Sequence, residues 1–154
     1  MQDQLNAMSE KLRSLPLPSQ YLGGGIPRQS VDCRMWKRKG PECLEGETQF
    51  NEFLLSGNSR AGMEPFVEFV RPMLREKHRI VLTHGGLHPR NILPIKDEGT
   101  EGGIRATCLI DWEVGGAYPE YWEFVKALNT VRPILSGYWP FFLPLNGMGK
   151  YFEA

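Results

Sequence analysis

The chain has 154 residues, 18 Lys and Arg balanced by 18 Asp and Glu, 41% hydrophobic residues and only 3 Cys. That length predicts one domain with a real core, and a formal charge of zero argues against a nucleic-acid binder, which would carry a basic stripe. Cys33, Cys43 and Cys108 form no CxxC pair and cannot all pair with one another, which excludes a disulfide framework and points to a cytoplasmic chain with reduced thiols.

In chain order, Leu5, Met8, Leu12 and Leu15 recur at spacings of three and four, the mark of one helix face. No apolar run follows a basic start, so no signal peptide is read here. Pro16 and Pro18 stop the helix, because proline lacks the amide donor and clashes with the preceding turn. The stretch 19–46 reads as irregular, with a Gly23-Gly24-Gly25 run taken as a flexible turn and prolines at 27 and 41. Thr48 is placed to cap a second helix whose face carries Phe50, Phe53 and Leu54. A third helical pattern follows Gly62, with Pro65 early, Phe66, Phe69, Val70 and Met73 apolar, and Pro72 to end or kink it.

The pattern then changes. Arg79-Ile80-Val81-Leu82-Thr83 is strand-like and runs into Gly85-Gly86. Asn91-Ile92-Leu93 and Ala106-Thr107-Cys108-Leu109-Ile110 predict two short strands, joined as a hairpin by the polar loop 96–103. Lys96, Asp97, Glu98 and Glu101 form its solvated tip. Beyond Gly115-Gly116, Pro119 suits a first helical turn, and Tyr121, Phe124, Val125 and Leu128 give an apolar face up to Asn129. Ile134-Leu135 through Trp139-Pro140-Phe141-Phe142 is aromatic for a tail and marks an uncovered apolar patch. Broken by Pro140 and Pro144, it falls short of the roughly 20 apolar residues a membrane span needs. The order predicts an α+β fold, mostly helical, over 1–154.

The densest chemistry lies in Thr83-His84-Gly85-Gly86-Leu87-His88-Pro89-Arg90-Asn91, followed by Asp111-Trp112-Glu113. Asn and Asp side chains offer hard oxygens suited to Mg²⁺, and a loop and an adjacent strand end could hold both on one ion. Asn91 could equally bond its own turn, and Asp111 could cap the next. His84, His88 and Asp111 also admit a metal-dependent hydrolase, but the HExxH logic needs a helix that Gly85, Gly86 and Pro89 oppose. No GxSxG occurs. Tyr118, Tyr121, Trp122 and Phe124 read as core packing rather than a cage for a cation.

THGGLHPRNIL followed by LIDWEVGGAYPEYWEFVKAL closely resembles the aminoglycoside phosphotransferase-like kinases, particularly fungal members. Their pattern is H-G-D-x-H-x-x-N, then I-D-W-E, then an aromatic P-E-Y-W-E helix. LRSLP, the glycine-rich turn, Asp32 with Arg34, Gly40-Pro41 and Phe50-Asn51 are similar to that group as well, so the resemblance runs from Met1 to about Leu128. It implies the C-terminal, mostly helical lobe of a protein-kinase-like fold, with a small β-hairpin carrying the catalytic loop and a divergent tail at 133–154. It further implies ATP-dependent phosphoryl transfer to a small-molecule hydroxyl with Mg²⁺, by positioning and charge neutralisation. Carried over, Asn91 and Asp111 are the metal ligands, His84 orients the catalytic turn, and Trp112 and Glu113 are structural partners.

Two departures qualify this. The family's catalytic aspartate falls on Gly86, which can neither orient a hydroxyl nor take its proton, and His88 is the only nearby substitute. The β-rich lobe with its glycine loop and anchoring lysine is not matched in this sequence; Lys11, Lys37 and Gly23-Gly24-Gly25 are no convincing replacement. The expectation is a kinase-like lobe that is impaired or inactive. The alternative is a non-catalytic binding or regulatory module that keeps the scaffold. The implied partners are a small-molecule substrate and a lobe or protein covering the apolar surface, with neither nucleic acid nor membrane.

Overall fold

The computed structural model describes residues 1–17, 19–34, 37–57, 62–100, 102–131 and 137–151. Helix α1 (Gln2–Ser14) ends where Leu15 turns extended ahead of Pro16, since a residue before proline is steered out of the helical region. Its buried stripe is rotated from the predicted one: Leu5, Asn6 and Ser9 are buried and Leu15 is exposed. The cause is α5 (Leu145–Met148), which crosses so closely that a Cβ on Gly147 would lie 2.9 Å from Ser9 Cβ. The Gly147 amide donates to Asn6 Oδ1 at 3.0 Å. Small polar residues are buried here to admit a neighbouring backbone.

The stretch expected to be irregular contains an antiparallel pair, β1 (Gln29–Asp32) and β2 (Arg38–Glu42). Neither shows the alternation of a half-buried strand, and their pairing is fixed from outside. Arg38 bonds Asp32 at 2.8 Å, and the Val31 amide donates to the Tyr118 hydroxyl at 3.0 Å. The glycine run is likewise not a loose turn. Gly23 exchanges both backbone hydrogen bonds with Ala117, at 2.8 and 3.1 Å. A Cβ on Gly24 would sit 2.0 Å from Gly115 O, and one on Gly116 would sit 2.3 Å from the Gly23 backbone. Two backbones cross where only glycine fits.

Helix α2 (Gly46–Ser56) is capped at Glu45, whose amide donates to Gln49 Oε1 at 2.8 Å. Thr48 is an exposed first-turn residue rather than the cap. The helix buries Phe50, Phe53 and Leu55, and Phe50 stands edge-on to Trp122 with centroids 5.0 Å apart. Helix α3 (Glu64–Val70) leads into a 3-10 turn, Arg71–Met73, that accommodates Pro72. Its apolar face is not core: no residue of α3 is buried, and Phe66, Phe69 and Met73 are exposed.

Strand β3 (Ile80–Thr83) pairs antiparallel with β6 (Gly116–Pro119), and β4 (Ile92–Lys96) pairs with β5 (Ile104–Leu109). The predicted hairpin is present. Pro119 does not open a helix: it ends β6 opposite Ile80, and α4 (Trp122–Asn129) starts three residues later. One core cluster joins Leu22, Leu44, Phe50 and Phe53 to Tyr118 and Trp122. The other joins Leu5 to Leu87, Phe124, Ala127, Leu143 and Met148, with Trp139 from the 3-10 turn Trp139–Phe142. The tail is therefore half absorbed: Trp139 is buried, while Tyr138 and Phe141 are exposed. Ile134, Leu135 and Glu101 lie outside the described residues. The fold is α+β, all three cysteines are free, and no helix among the described residues is long and apolar enough to cross a membrane.

Candidate functional site

The loop 84–91 leaves β3 and ends in a 3-10 turn, Pro89–Asn91, that feeds β4. His84 is buried, and both ring nitrogens are engaged. Nε2 lies 2.8 Å from Ile110 O, and the Gly86 amide approaches Nδ1 at 3.2 Å. A carbonyl only accepts and an amide N–H only donates, so the proton sits on Nε2. Trp112 covers the ring edge-on at 4.5 Å, and its indole N–H donates to Leu109 O at 2.8 Å. His84 therefore staples the loop to the segment after β5 and has no nitrogen left for a proton transfer or a cation.

Asn91, also buried, donates from Nδ2 to Gly86 O at 2.9 Å, which leaves its carbonyl oxygen as the open end of the amide. The Asn91 backbone carbonyl accepts the Ile110 amide at 2.9 Å. Asp111 is thus the next residue along from the partner of Asn91, and both sit at the open end of the β4–β5 hairpin. Asp111 is exposed and holds φ at +65°, in the left-handed region that costs a non-glycine residue on the order of 1–3 kcal/mol. Glu113 is exposed and pairs with Lys37 at 3.0 Å; this contact, with Cys33 and Asp111 nearby, raises the basicity of Lys37.

Gly86 is not in the left-handed region, and a Cβ there would meet Asn91 Nδ2 at 3.5 Å and the His84 ring at 3.6 Å, ordinary contacts. The backbone does not demand glycine at this position. His88 is half-buried, and its Nδ1 accepts the Arg90 amide at 3.3 Å; burial, then the Arg90 charge, lowers its pKa.

Two ionic residues, Glu123 and Lys126, are absent from the candidates the sequence offers, and a third, Asp32, appears there only beside Arg34. Glu123, inside α4, accepts the His84 amide on Oε2 at 2.6 Å and the Gly85 amide on Oε1 at 3.1 Å. Burial raises its pKa, opposed by those hydrogen bonds and the nearby His84 and Arg13. Lys126, one turn further, is also buried. Asp32 takes Arg34 at 3.0 Å and Arg38 at 2.8 Å; although burial alone would raise its carboxyl, these bonds hold it at about 2. The available signal was a Glu and a Lys inside the apolar pattern of α4.

The donor set fits Mg²⁺ better than zinc: one carboxylate and one amide oxygen suit an ion that keeps several waters and takes phosphate oxygens. Among the described residues, no three His, Cys, Asp or Glu side chains cluster as a closed cage. The residues present fit ATP less well. Lys11 is exposed on α1, Lys37 is tied to Glu113, and Gly23 and Gly24 are closed against other backbone. Comparison with protein-family models, curated proteins and solved structures gives no match.

Proposed function

We propose that this chain is the C-terminal lobe of an aminoglycoside phosphotransferase-like, protein-kinase-like fold, carrying the metal half of a phosphoryl-transfer site with its chemistry impaired at Gly86. The observation that supports this best is the stapled loop. His84 bonds Ile110 O, Asn91 O takes the Ile110 amide, and Asn91 Nδ2 bonds back to Gly86. These contacts bring the loop and the strand end that carries Asp111 together at one edge, which supports the reading. A Mg²⁺ held by Asn91 Oδ1 and the Asp111 carboxylate would neutralise charge on phosphate oxygens.

The chain's own residues would orient that ion and hold the loop dry behind it. Neither His84 nor Gly86 supplies the proton acceptor. His84 has no free nitrogen, and Gly86 has no side chain where the family has a carboxylate. The same missing carboxylate favours a second reading, a binding or regulatory module that keeps the scaffold without turnover.

Manganese titration followed by NMR tests the metal site. Paramagnetic broadening should centre on Asn91 and Asp111 and vanish in Asp111→Ala. Broadening that scatters over other acidic residues, or survives the substitution, would refute it.

A further inference from the structure

Lys126 is 6% exposed and makes no hydrogen bond or ion pair among the described residues. Its ammonium still reaches solvent, but a long cationic side chain enclosed to this extent without a contacting carboxylate is uncommon. Helical geometry fixes where it points. At 3.6 residues per turn, residue 126 projects about 60° from 123 and about 40° from 130 on α4. Glu123 holds the amides of His84 and Gly85, and Thr130 Oγ1 lies 3.4 Å from Leu87 O, so that face meets the 84–87 loop.

On its other side the helix meets the segment after β1. The Arg34 guanidinium lies 4.9 Å from the Trp122 ring, and Asn129 Nδ2 donates to Arg34 O at 3.3 Å. Lys126 emerges between these two faces, into the seam joining the loop to residues 32–34. The groups around it are Asp32, Cys33, Arg34 and Glu123, and burial lowers its pKa. Asp32 is committed to Arg34 and Arg38, and Glu123 to the loop amides, so neither serves Lys126 as a counter-ion at contact distance.

The approach is cationic too. Lys37 and Lys39 line a cavity of about 250 Å³ with Glu113, beside the glycine crossing. Cys33 is an electrostatic neighbour of both Lys37 and Lys126.

We infer that Lys126 is the receiving residue of an oxyanion site in this seam, taking a phosphate or carboxylate group of a small molecule brought against the 84–87 loop. The site needs neither metal nor nucleotide. Joined to phosphoryl transfer, and resting on that reading, it makes the acceptor an anionic alcohol rather than a polycation.

Sulfate and acetate, neither of which titrates near neutral pH, are the probes for the tetrahedral and the planar oxyanion. Each is titrated into the full chain without metal, by calorimetry in two buffers of different ionisation enthalpy and by NMR of the Lys126 side chain. The expected result is saturable binding of at least one probe, with proton uptake that grows as pH rises and a shift of the Lys126 signals. Lys126→Met should weaken that binding at least tenfold, and Lys126→Arg should retain it. If the methionine variant does not fold, proton uptake and the side-chain shift in the unchanged chain decide the matter. Binding that is equal in Lys126→Met, that takes up no proton, or that is absent up to tens of millimolar overturns the inference. Manganese at Asp111 is read separately, so loss of one result leaves the other standing.

Discussion

Replacing Glu123 by alanine tests the loop's dependence on α4. The substitution orphans two buried backbone amides, the His84 N–H now bonded at 2.6 Å and the Gly85 N–H at 3.1 Å. Each unsatisfied buried donor costs about 1–3 kcal/mol. Relief of a desolvated carboxylate offsets part of this, so the expected net loss is about 2–4 kcal/mol, a large share of a typical total of 5–15 kcal/mol. Urea unfolding measures it, and a loss below about 1 kcal/mol would refute the argument. Glu123→Gln supplies the pH control. Burial raises the Glu123 pKa above its ordinary 4.5, so above that pH the native state binds a proton that the unfolded chain has released. Stability therefore falls as pH rises from 4.5 through the folded value. Asp32 acts with the opposite sign: held at about 2 against an ordinary 3.8, it stabilises above 3.8, and that contribution is lost as pH falls towards 2. The wild type should gain stability from pH 2 to 4 and lose some above 4.5. Glu123→Gln should keep the first slope and lose the second, and an unchanged decline above pH 4.5 would show that Glu123 does not cause it.

Gly24→Ala should destabilise the fold by about 3 kcal/mol or more, beyond ordinary overpacking, because its Cβ would fall 2.0 Å from the Gly115 carbonyl; a thermal midpoint within a degree or two of wild type would contradict the crossing. Gly86→Asp should leave stability within about 1 kcal/mol, since the added Cβ meets only ordinary contacts. It should give measurable ATP turnover only when the nucleotide-binding lobe of an aminoglycoside phosphotransferase-like kinase is fused ahead of it, and turnover by the unchanged chain above an Asp111→Ala control would end the impaired-kinase reading. Calorimetry should find ATP no tighter than millimolar, about 4 kcal/mol at the standard state; low-micromolar binding would point to a phosphate site of another kind.

What was legible in the sequence is what local pattern dictates. The β4–β5 hairpin follows from two apolar runs around a polar glycine-rich tip, and the 84–91 loop from its own residue types. What was not legible depends on partners far along the chain. Gln29–Asp32 looks like loop until Tyr118 supplies a hydroxyl to the Val31 amide. Gly23 and Gly24 read as a flexible turn until Gly115, Gly116 and Ala117 arrive opposite them. Phe66 and Phe69 share a convincing helical face that nothing covers among the described residues. Asn6 and Ser9 look like surface positions because the sequence of α1 carries no sign of Gly147 crossing it. For the site, Asn91 and Asp111 stood out as chemistry, whereas Glu123 hid inside an aromatic helix because its partners are bare amides.

The glycine crossing also bears on how the chain can be cut. It ties Gly23 to Ala117 by two backbone hydrogen bonds, while the core beside it mixes Leu22, Leu44, Phe50 and Phe53 with Tyr118 and Trp122. Between these halves runs α3, which buries no residue at all. A protease finds its easiest bond in such an exposed stretch, yet cleavage there severs nothing that holds the two parts together. The products should migrate as two bands under denaturing conditions and as one particle under native ones. Neither fragment contains a complete core, so each keeps its shape only while bound to the other.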